Sequence, residues 1–211
     1  MATASVTIDP QETATITYAT PFCITDTTLQ APTITGTTGG TFSAPAGLDI
    51  DTANGEIDPS DSTAGTYTVT YTTPGTCSGM ATASVTIDPQ ETATITYATP
   101  FCISDTTLQA PTITGTTGGT FDEPTGDLSI DTTTGEIDPS ASTAGTYTVT
   151  YTTAGSCPGT ATAMVTIDPL DDASFSYAAG SFCVDETTPQ IPTITGEAGG
   201  AFTVTLSLIH I

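Results

Sequence analysis

The chain of 211 residues contains no lysine or arginine but 23 acidic residues, which gives a formal net charge of −23 at pH 7. A chain without cationic side chains cannot neutralise phosphates, so nucleic acid is excluded as a partner and an anionic membrane surface would repel it. The length allows one large domain or two to three small ones. Of the residues, 36% are apolar and regularly patterned, which favours a folded chain over a disordered one.

A repeat of about 80 residues organises the sequence. Residues 1–10 read MATASVTIDP, residues 80–89 read the same ten letters, and residues 161–169 carry a third copy, ATAMVTIDP. We therefore predict the last strand of a preceding truncated repeat at 1–10, complete repeats at 11–89 and 90–169, and a partial third repeat at 170–205.

The two ends of the sequence indicate that it is a fragment. Met1 occupies the position of Met80 inside the repeat, so we expect any signal peptide to lie upstream. The repeat pattern breaks after Phe202, and residues 206–211 read LSLIHI, which corresponds to a translated transposase adapter from sequencing libraries. We expect read-through into that adapter, in which case the only histidine, His210, has no role; a divergent natural terminus is the alternative.

Apolar residues alternate with threonine within each repeat, which predicts β-strands with one inward and one outward face. The predicted inward residues are, in chain order, Ala14, Ile16 and Tyr18, then Tyr67, Val69 and Tyr71, then Ala81, Ala83, Val85 and Ile87. Turns rich in Gly, Asn, Asp and Pro recur every 8 to 12 residues, as in β-sandwiches. The predicted fold class is all-β: tandem Ig-like antiparallel β-sandwiches arranged as beads on a string.

Each complete repeat has two cysteines in matching positions, Cys23 and Cys77 in the first and Cys102 and Cys157 in the second. We predict bridges Cys23–Cys77 and Cys102–Cys157, because they close loops of similar length. Free buried thiols and a Cys77–Cys102 link between neighbouring repeats are the alternatives. Regular pairing of this kind indicates an oxidising, extracytoplasmic compartment.

One acidic segment is a candidate calcium site, because Ca²⁺ requires hard oxygen ligands. The candidate ligands are Asp49, Asp51, Glu56 and Asp58. The alternative is a plain hairpin in which residues 52–55 form the turn, with Gly or Asn at positive φ, and the acids are solvated. We predict that the protein needs no cofactor, with calcium as the one candidate.

No residues in the sequence are suited to catalysis. A nucleophile needs a neighbouring base, and the chain has no lysine and no credible histidine. Paired carboxylates at Asp49 and Asp51 would suit glycoside hydrolysis, but Ser129 replaces Asp49 in the second repeat. We predict no catalytic residues and a protein that is not an enzyme. No transmembrane run is present, so no membrane insertion is expected.

Two segments, 47–57 (GLDIDTANGEI) and 64–70 (AGTYTVT), resemble the Ig-like and cadherin-like repeats of large bacterial surface proteins. An early Phe-Cys, the run 32–42 (PTITGTTGGTF) and a late Gly-x-Cys are similar to adhesin arrays of the Bacteroidetes. The resemblance implies an extracellular or bacterial cell-surface location.

Near-identical copies favour a stalk or spacer whose partners are the neighbouring repeats of the same chain. The alternative is an adhesive module that binds surface glycans or proteins through its loops.

The charge also leads to an expectation about stability. Carboxylates without cationic partners should repel one another in the compact fold, which would raise their pKa values and make the protein more stable as the pH falls. Backbone and hydroxyl donors bonded to individual carboxylates would act in the opposite direction and cancel part of this effect.

Overall fold

The computed structural model describes residues 3–183 and 185–203. The predicted read-through at 206–211 lies outside the described residues. The first repeat contains eight strands: β1 (Ala14–Thr17), β2 (Phe22–Cys23), β3 (Thr33–Gly36), β4 (Thr41–Ser43), β5 (Asp49–Ile50), β6 (Ile57–Asp58), β7 (Gly65–Thr72) and β8 (Met80–Asp88).

The second repeat follows the same order. Its elements are β9 (Ala93–Thr96), β10 (Phe101–Cys102), β11 (Thr112–Gly115), β12 (Thr120–Asp122), a 3-10 helix (Pro139–Ala141), β13 (Gly145–Thr152) and β14 (Thr160–Asp168). Where the first repeat has β5 and β6, the second has only a bridge between Ile130 and Ile137. Within the described ranges, no helix is long and apolar enough to cross a membrane.

Each repeat is a β-sandwich built around one long hairpin. In the first repeat β7 and β8 pair antiparallel, β4 extends the sheet beyond β7, and β2 lies parallel to the end of β8, in the order β2-β8-β7-β4. A second small sheet pairs β1 with β3. The second repeat reproduces both sheets, with the orders β10-β14-β13-β12 and β9-β11. The chain is therefore all-β apart from the single 3-10 turn among its described residues.

The predicted alternation is confirmed by burial. The first core consists of Ile16, Phe22, Phe42, Leu48, Ile57, Val69, Tyr71, Val85 and Ile87, with Ala14, Tyr18, Tyr67, Ala81 and Ala83 packed against it. A second, separate core contains the equivalent residues from Ile95 to Ile167. β-Branched side chains and threonines suit a pleated surface that is buried on one face and hydrated on the other.

One sequence takes two different conformations in this chain. Residues 80–88 form β8, where Val85 and Ile87 are 0% and 1% exposed, but the equivalent Val6 and Ile8 are 85% and 91% exposed and no strand forms over residues 3–10. The strands that flank β8, β2 and β7, precede it in the repeat. The strand predicted at 1–10 is therefore not formed over its described residues, 3–10.

The partial third repeat is much less complete. Its described residues form only β15 (Phe175–Ser176) and β16 (Thr193–Ile194), paired antiparallel. Phe175, Phe182 and Phe202 are 50%, 46% and 54% exposed, because the long hairpin that would cover this face is missing from the described residues.

The hydroxyl group of Tyr71, on β7, is hydrogen-bonded to the loop between β3 and β4. It accepts a hydrogen bond from the Gly40 amide at 2.9 Å and donates one to the Thr37 carbonyl at 3.0 Å. The backbones approach so closely that a Cβ at Gly40 would lie 2.0 Å from the Thr72 carbonyl oxygen. The ring packs against Phe42 with centroids 4.8 Å apart.

We expect the substitution Tyr71→Phe to lower the free energy of unfolding by about 1–2 kcal/mol, because it removes hydrogen bonds to two partly buried backbone groups, the Gly40 amide and the Thr37 carbonyl. Tyr177→Phe, at a tyrosine that is 45% exposed, is the matched control. Urea unfolding at equilibrium measures both. Equal losses in the two variants would contradict this role for the Tyr71 hydroxyl.

Candidate functional site at the junction between repeats

The cysteines of a complete repeat lie at opposite ends of its sandwich. Cys23 ends β2 and pairs with Asp88, the last residue of β8. Cys77 lies in the turn just before Met80, the first residue of β8. The eight steps from Met80 to Asp88 span about 27 Å at the rise of an antiparallel strand, whereas a disulfide requires Cα atoms within about 7 Å of each other.

The predicted bridges Cys23–Cys77 and Cys102–Cys157 are therefore wrong, because a whole strand separates the two members of each pair. The structure instead contains a disulfide between Cys23 of the first repeat and Cys157 of the second, with Cα atoms 4.7 Å apart. Cys77, Cys102 and Cys183 are free thiols. The predicted alternative link between Cys77 and Cys102 does not form either, because these residues lie at the two far ends of the pair of repeats.

The disulfide lies beside the peptide linker, residues 89–92, that joins the same two repeats. The Cys157 carbonyl accepts a hydrogen bond from the Glu91 amide at 2.9 Å. The Asp88 carboxylate accepts one from the Ser156 hydroxyl, and the Asp88 carbonyl accepts one from the Ile24 amide at 3.0 Å. Two covalent connections and these hydrogen bonds therefore meet at one junction.

The bridge closes a long loop, with a sequence separation of 134 residues. The chain-entropy relation assigns about 5 kcal/mol of stabilisation to a loop of that length, because the cross-link restricts the unfolded chain far more than the folded one. The loop contains most of both repeats, so the bridge opposes the unfolding of either one.

The candidate calcium residues lie together on the β5–β6 hairpin, where Asp49 pairs with Asp58. Asp51 accepts a hydrogen bond from the Ala53 amide at 2.7 Å, and Glu56 accepts one from the Asn54 side chain at 2.8 Å. Asp58 accepts bonds from the amide and hydroxyl of Ser60 at 2.9 and 2.7 Å. Three of the four carboxylates are therefore engaged by donors two residues away.

The hairpin is also attached to the core. Gly55 in its turn has a φ of 78°, and a Cβ there would lie 2.6 Å from the Phe42 ring. The Tyr18 hydroxyl donates to the Gly55 carbonyl at 2.7 Å, and burial raises the pKa of Tyr18 to about 12. In the described part of the chain, no three His, Cys, Asp or Glu residues are grouped so as to hold a metal ion. Calcium binding stays a prediction.

The equivalent face of the second repeat is a shallow open depression. It is lined by Leu108, Ser129, Ile130, Asp131, Glu136 and Asp138. Asp131 accepts hydrogen bonds from the Thr133 and Thr134 amides at 2.8 and 2.9 Å, so this carboxylate also closes a turn.

A recurrent pairing of carboxylates with hydroxyl groups was missed from the sequence. Asp26 accepts hydrogen bonds from the Thr28 hydroxyl at 2.6 Å and the Thr28 amide at 2.9 Å, and Asp105 does the same with Thr107. The sequence pattern could have predicted these hydrogen bonds, because an acidic residue followed two positions later by Ser or Thr has the spacing of a local Asx turn.

These hydrogen bonds contradict the expectation that repulsion raises the carboxyl pKa values. The principal cause is a hydroxyl donor that stabilises the ionised form, and it lowers the pKa below its usual value at Asp26, Asp58, Asp105, Asp172 and Glu186. Neutral donors within each turn thus take the place of the absent cationic partners.

No protein-family model matches the chain, and no curated protein matches it. Among solved structures, mouse cadherin-23 EC22–24 is similar over 89% of this chain and 79% of that chain, at 15% identity and a TM-score of 0.35. Extracellular domains 3–5 of Drosophila OTK match over 72% and 61%, at 14% identity and 0.34. Protocadherin gamma B2 domains 3–6 match over 77% and 54%, at 10% identity and 0.34.

This chain thus spans between 54% and 79% of the length of those structures. The assignment as a β-sandwich follows from the strands and registers described above.

We expect Cys157→Ser to lower the midpoint of thermal unfolding by about 10–20 °C, since ~5 kcal/mol is lost and each kcal/mol corresponds to ~2–4 °C for a chain of this size. Scanning calorimetry without reductant measures it, and Cys183→Ser, at an exposed free thiol, is the control. Cleavage of the unmodified chain at Asp and Glu should release a peptide joined through Cys23 and Cys157. A Cys23–Cys77 peptide as the main product would contradict the junction described here.

We expect Thr28→Val to raise the pKa of Asp26 towards its usual value, because the hydroxyl donor is lost. Thr27→Val, at the exposed neighbouring threonine, should leave the pKa unchanged. NMR titration of the side-chain carboxyl carbon measures both. An unchanged pKa in Thr28→Val would mean that the hydroxyl does not stabilise the carboxylate.

The same shifts determine how stability depends on pH. A carboxyl pKa that is lower in the folded state contributes stability above the unfolded value of 3.8, and this contribution is lost as the pH falls through the folded pKa. The midpoint of thermal unfolding should therefore decrease below about pH 3.8. A midpoint that rises over that interval would show that repulsion among the carboxylates dominates.

Proposed function

We propose that this chain is a non-enzymatic segment of an extracellular stalk, which holds another part of a larger surface protein at a distance. The observation that carries the proposal is the double connection at the junction: the linker at 89–92 and the Cys23–Cys157 bridge join the same two repeats. Two attachment points limit swivelling, whereas a single flexible linker would allow it. A bridge of this kind persists in oxidising compartments, which supports an extracellular location.

The bridge also suits a segment that carries tension. Fully extended, the chain between the bonded cysteines, whose sequence separation is 134, would reach about 440–480 Å. The intact disulfide prevents this extension, because force passes from one repeat to the next through the sulfur atoms. A stalk under load therefore keeps its length even if a sandwich loses its strands.

The outward faces suit a spacer because their polar groups are already satisfied. Threonine hydroxyls pair across strands at 2.5–3.2 Å in the pairs Thr15–Thr35, Thr66–Thr86, Thr94–Thr114 and Thr146–Thr166. The same pairs occur in both complete repeats, so these faces do not distinguish one repeat from the other. The net charge of −23 adds repulsion between neighbouring molecules.

Catalysis is not supported by the surroundings of the acidic residues. The carboxylates on the hairpins accept hydrogen bonds from their own turns, as Asp51 does from Ala53 and Asp131 does from Thr133. General acid chemistry needs a carboxyl group whose pKa is raised, and the pKa of Asp131 is instead lowered, principally by the Thr134 amide.

An adhesive role is the second candidate, and one observation favours it. The loop between β4 and the hairpin differs between the complete repeats in both length and sequence, with residues 44–48 reading APAGL and residues 123–128 reading EPTGDL. Glu123 is ordered there by the hydroxyl of Thr125 at 2.8 Å and the amide of Gly126 at 3.0 Å. A module that binds glycan or protein would vary in its loops and keep its strands constant.

Nitrogen NMR relaxation of the full chain tests the stalk. We expect the repeats at 11–89 and 90–169 to share one rotational correlation time, because the junction holds them together. In Cys23→Ser the two values should become shorter and differ from each other, while Cys183→Ser should behave as the parent. Independent tumbling of the two repeats in the oxidised parent would contradict a stalk.

The adhesive alternative predicts a different result from the same protein. Binding to a glycan array, with or without calcium, that is lost when residues 122–130 are replaced by residues 43–50 would overturn the proposal of a passive spacer. No binding in either calcium condition agrees with the spacer.

A further inference from the structure

Two of the free thiols, Cys77 and Cys102, lie at the outer ends of the pair of complete repeats. Cys102 is exposed at the end of β10, and Cys77 is half-buried in the turn between β7 and β8. Their repeat equivalents, Cys23 and Cys157, are the residues that form the disulfide.

The surroundings of Cys102 match those of Cys23. Cys102 pairs with Asp168 in the parallel register in which Cys23 pairs with Asp88. Each cysteine carbonyl accepts a hydrogen bond from the amide three residues later at 2.9 Å. Each sulfur lies 3.0 Å from the hydroxyl oxygen two residues later, that of Ser104 or of Thr25. The C-terminal end of the second repeat thus presents a thiol in the setting that is bonded in the first.

The surroundings of Cys77 match those of Cys157. The carbonyl of Cys77 accepts a hydrogen bond from the Glu12 amide, and that of Cys157 accepts one from the Glu91 amide, both at 2.9 Å. In both turns the last glycine before the long strand donates its amide to a threonine hydroxyl, at 2.7 Å in the first repeat and 2.8 Å in the second.

The segment before the first repeat, which contains Asp9, lies against Cys77. Residues 1–10 have the sequence of residues 80–89, so Asp9 is the equivalent of Asp88. The Cys77 sulfur lies 3.6 Å from the Asp9 carbonyl oxygen, while Asp88 contacts the turn that carries Cys157 through Ser156. The cysteine of a preceding repeat that paired with Asp9, as Cys23 pairs with Asp88, would therefore lie beside Cys77.

We propose that every junction between complete repeats is closed by a disulfide from the early cysteine of one repeat to the late cysteine of the next. Cys102 is the early cysteine that would bond with a repeat following it in the chain. Cys77 is the late cysteine that would bond with a repeat preceding it. The bond forms by thiol–disulfide exchange: one oxidised glutathione accepts two electrons and both thiol protons, and leaves as two reduced glutathione molecules. The array then carries a covalent connection parallel to the peptide linker at each junction.

To test this, a further copy of residues 90–169 is inserted directly after Pro169 in the full chain. The protein is then oxidised with oxidised glutathione and digested at Asp and Glu without reductant. The inserted copy carries Ser104→Thr and Ala154→Ser, so that its two cysteine peptides differ in mass from those of the parent repeat. We expect one product that joins the unaltered Cys102 peptide to the altered last-cysteine peptide of the copy, beside the Cys23–Cys157 peptide. The insertion adds two cysteines, yet the number of thiols that react with iodoacetamide should stay at three, as in the parent chain. Replacing the last cysteine of the inserted copy by Ser should return Cys102 to the reactive thiols.

A second insertion tests the other half independently. A copy of residues 11–89 placed after Pro10 should join its first cysteine to Cys77, again leaving three reactive thiols. Recovery of Cys102 or Cys77 as a free thiol in a chain that forms Cys23–Cys157 would overturn the proposal. Bonding of either residue within its own repeat would also overturn it.

Discussion

The length of the strand pair β7–β8 governs the organisation of this molecule. β8 has nine residues and is hydrogen-bonded on both edges, to β7 along its whole length and to β2 at its end. Its inward side chains supply the centre of the core, where Val85 and Ile87 are almost completely buried. The same length separates the early and late cysteines of a repeat, so that a bridge within the repeat is impossible and a bridge across the junction is favoured.

A small sandwich of this size has a limited core, and such domains often depend on cross-links. Here the cross-link does not strengthen one sandwich from the inside. Because Cys23 and Cys157 belong to different repeats, the bridge makes the stability of each repeat depend on its neighbour. The same bond thus connects the two repeats and opposes the unfolding of both.

Because the chain has no lysine or arginine, repulsion among its acidic side chains would be expected to lower the free energy of unfolding. The structure limits that cost through local geometry. Carboxylates such as Asp26 and Asp105 accept hydrogen bonds from a hydroxyl and an amide two residues later, which also fix the turns between strands. Abundant threonine and serine thus serve as strand formers on the outer faces and as donors in the turns.

The sequence by itself determined the all-β class and the inward faces of the strands within the complete repeats, because alternation and turn residues act over a few neighbours. The alternation at Tyr67, Val69 and Tyr71 predicted which side chains the core would contain. The disulfide partners were decided only by the tertiary structure, since equal spacing along the chain says nothing about which ends of a sandwich two cysteines occupy. Identical residues at 3–10 and 82–89 make the same point. A strand forms only where neighbouring strands supply its hydrogen bonds and cover its apolar face.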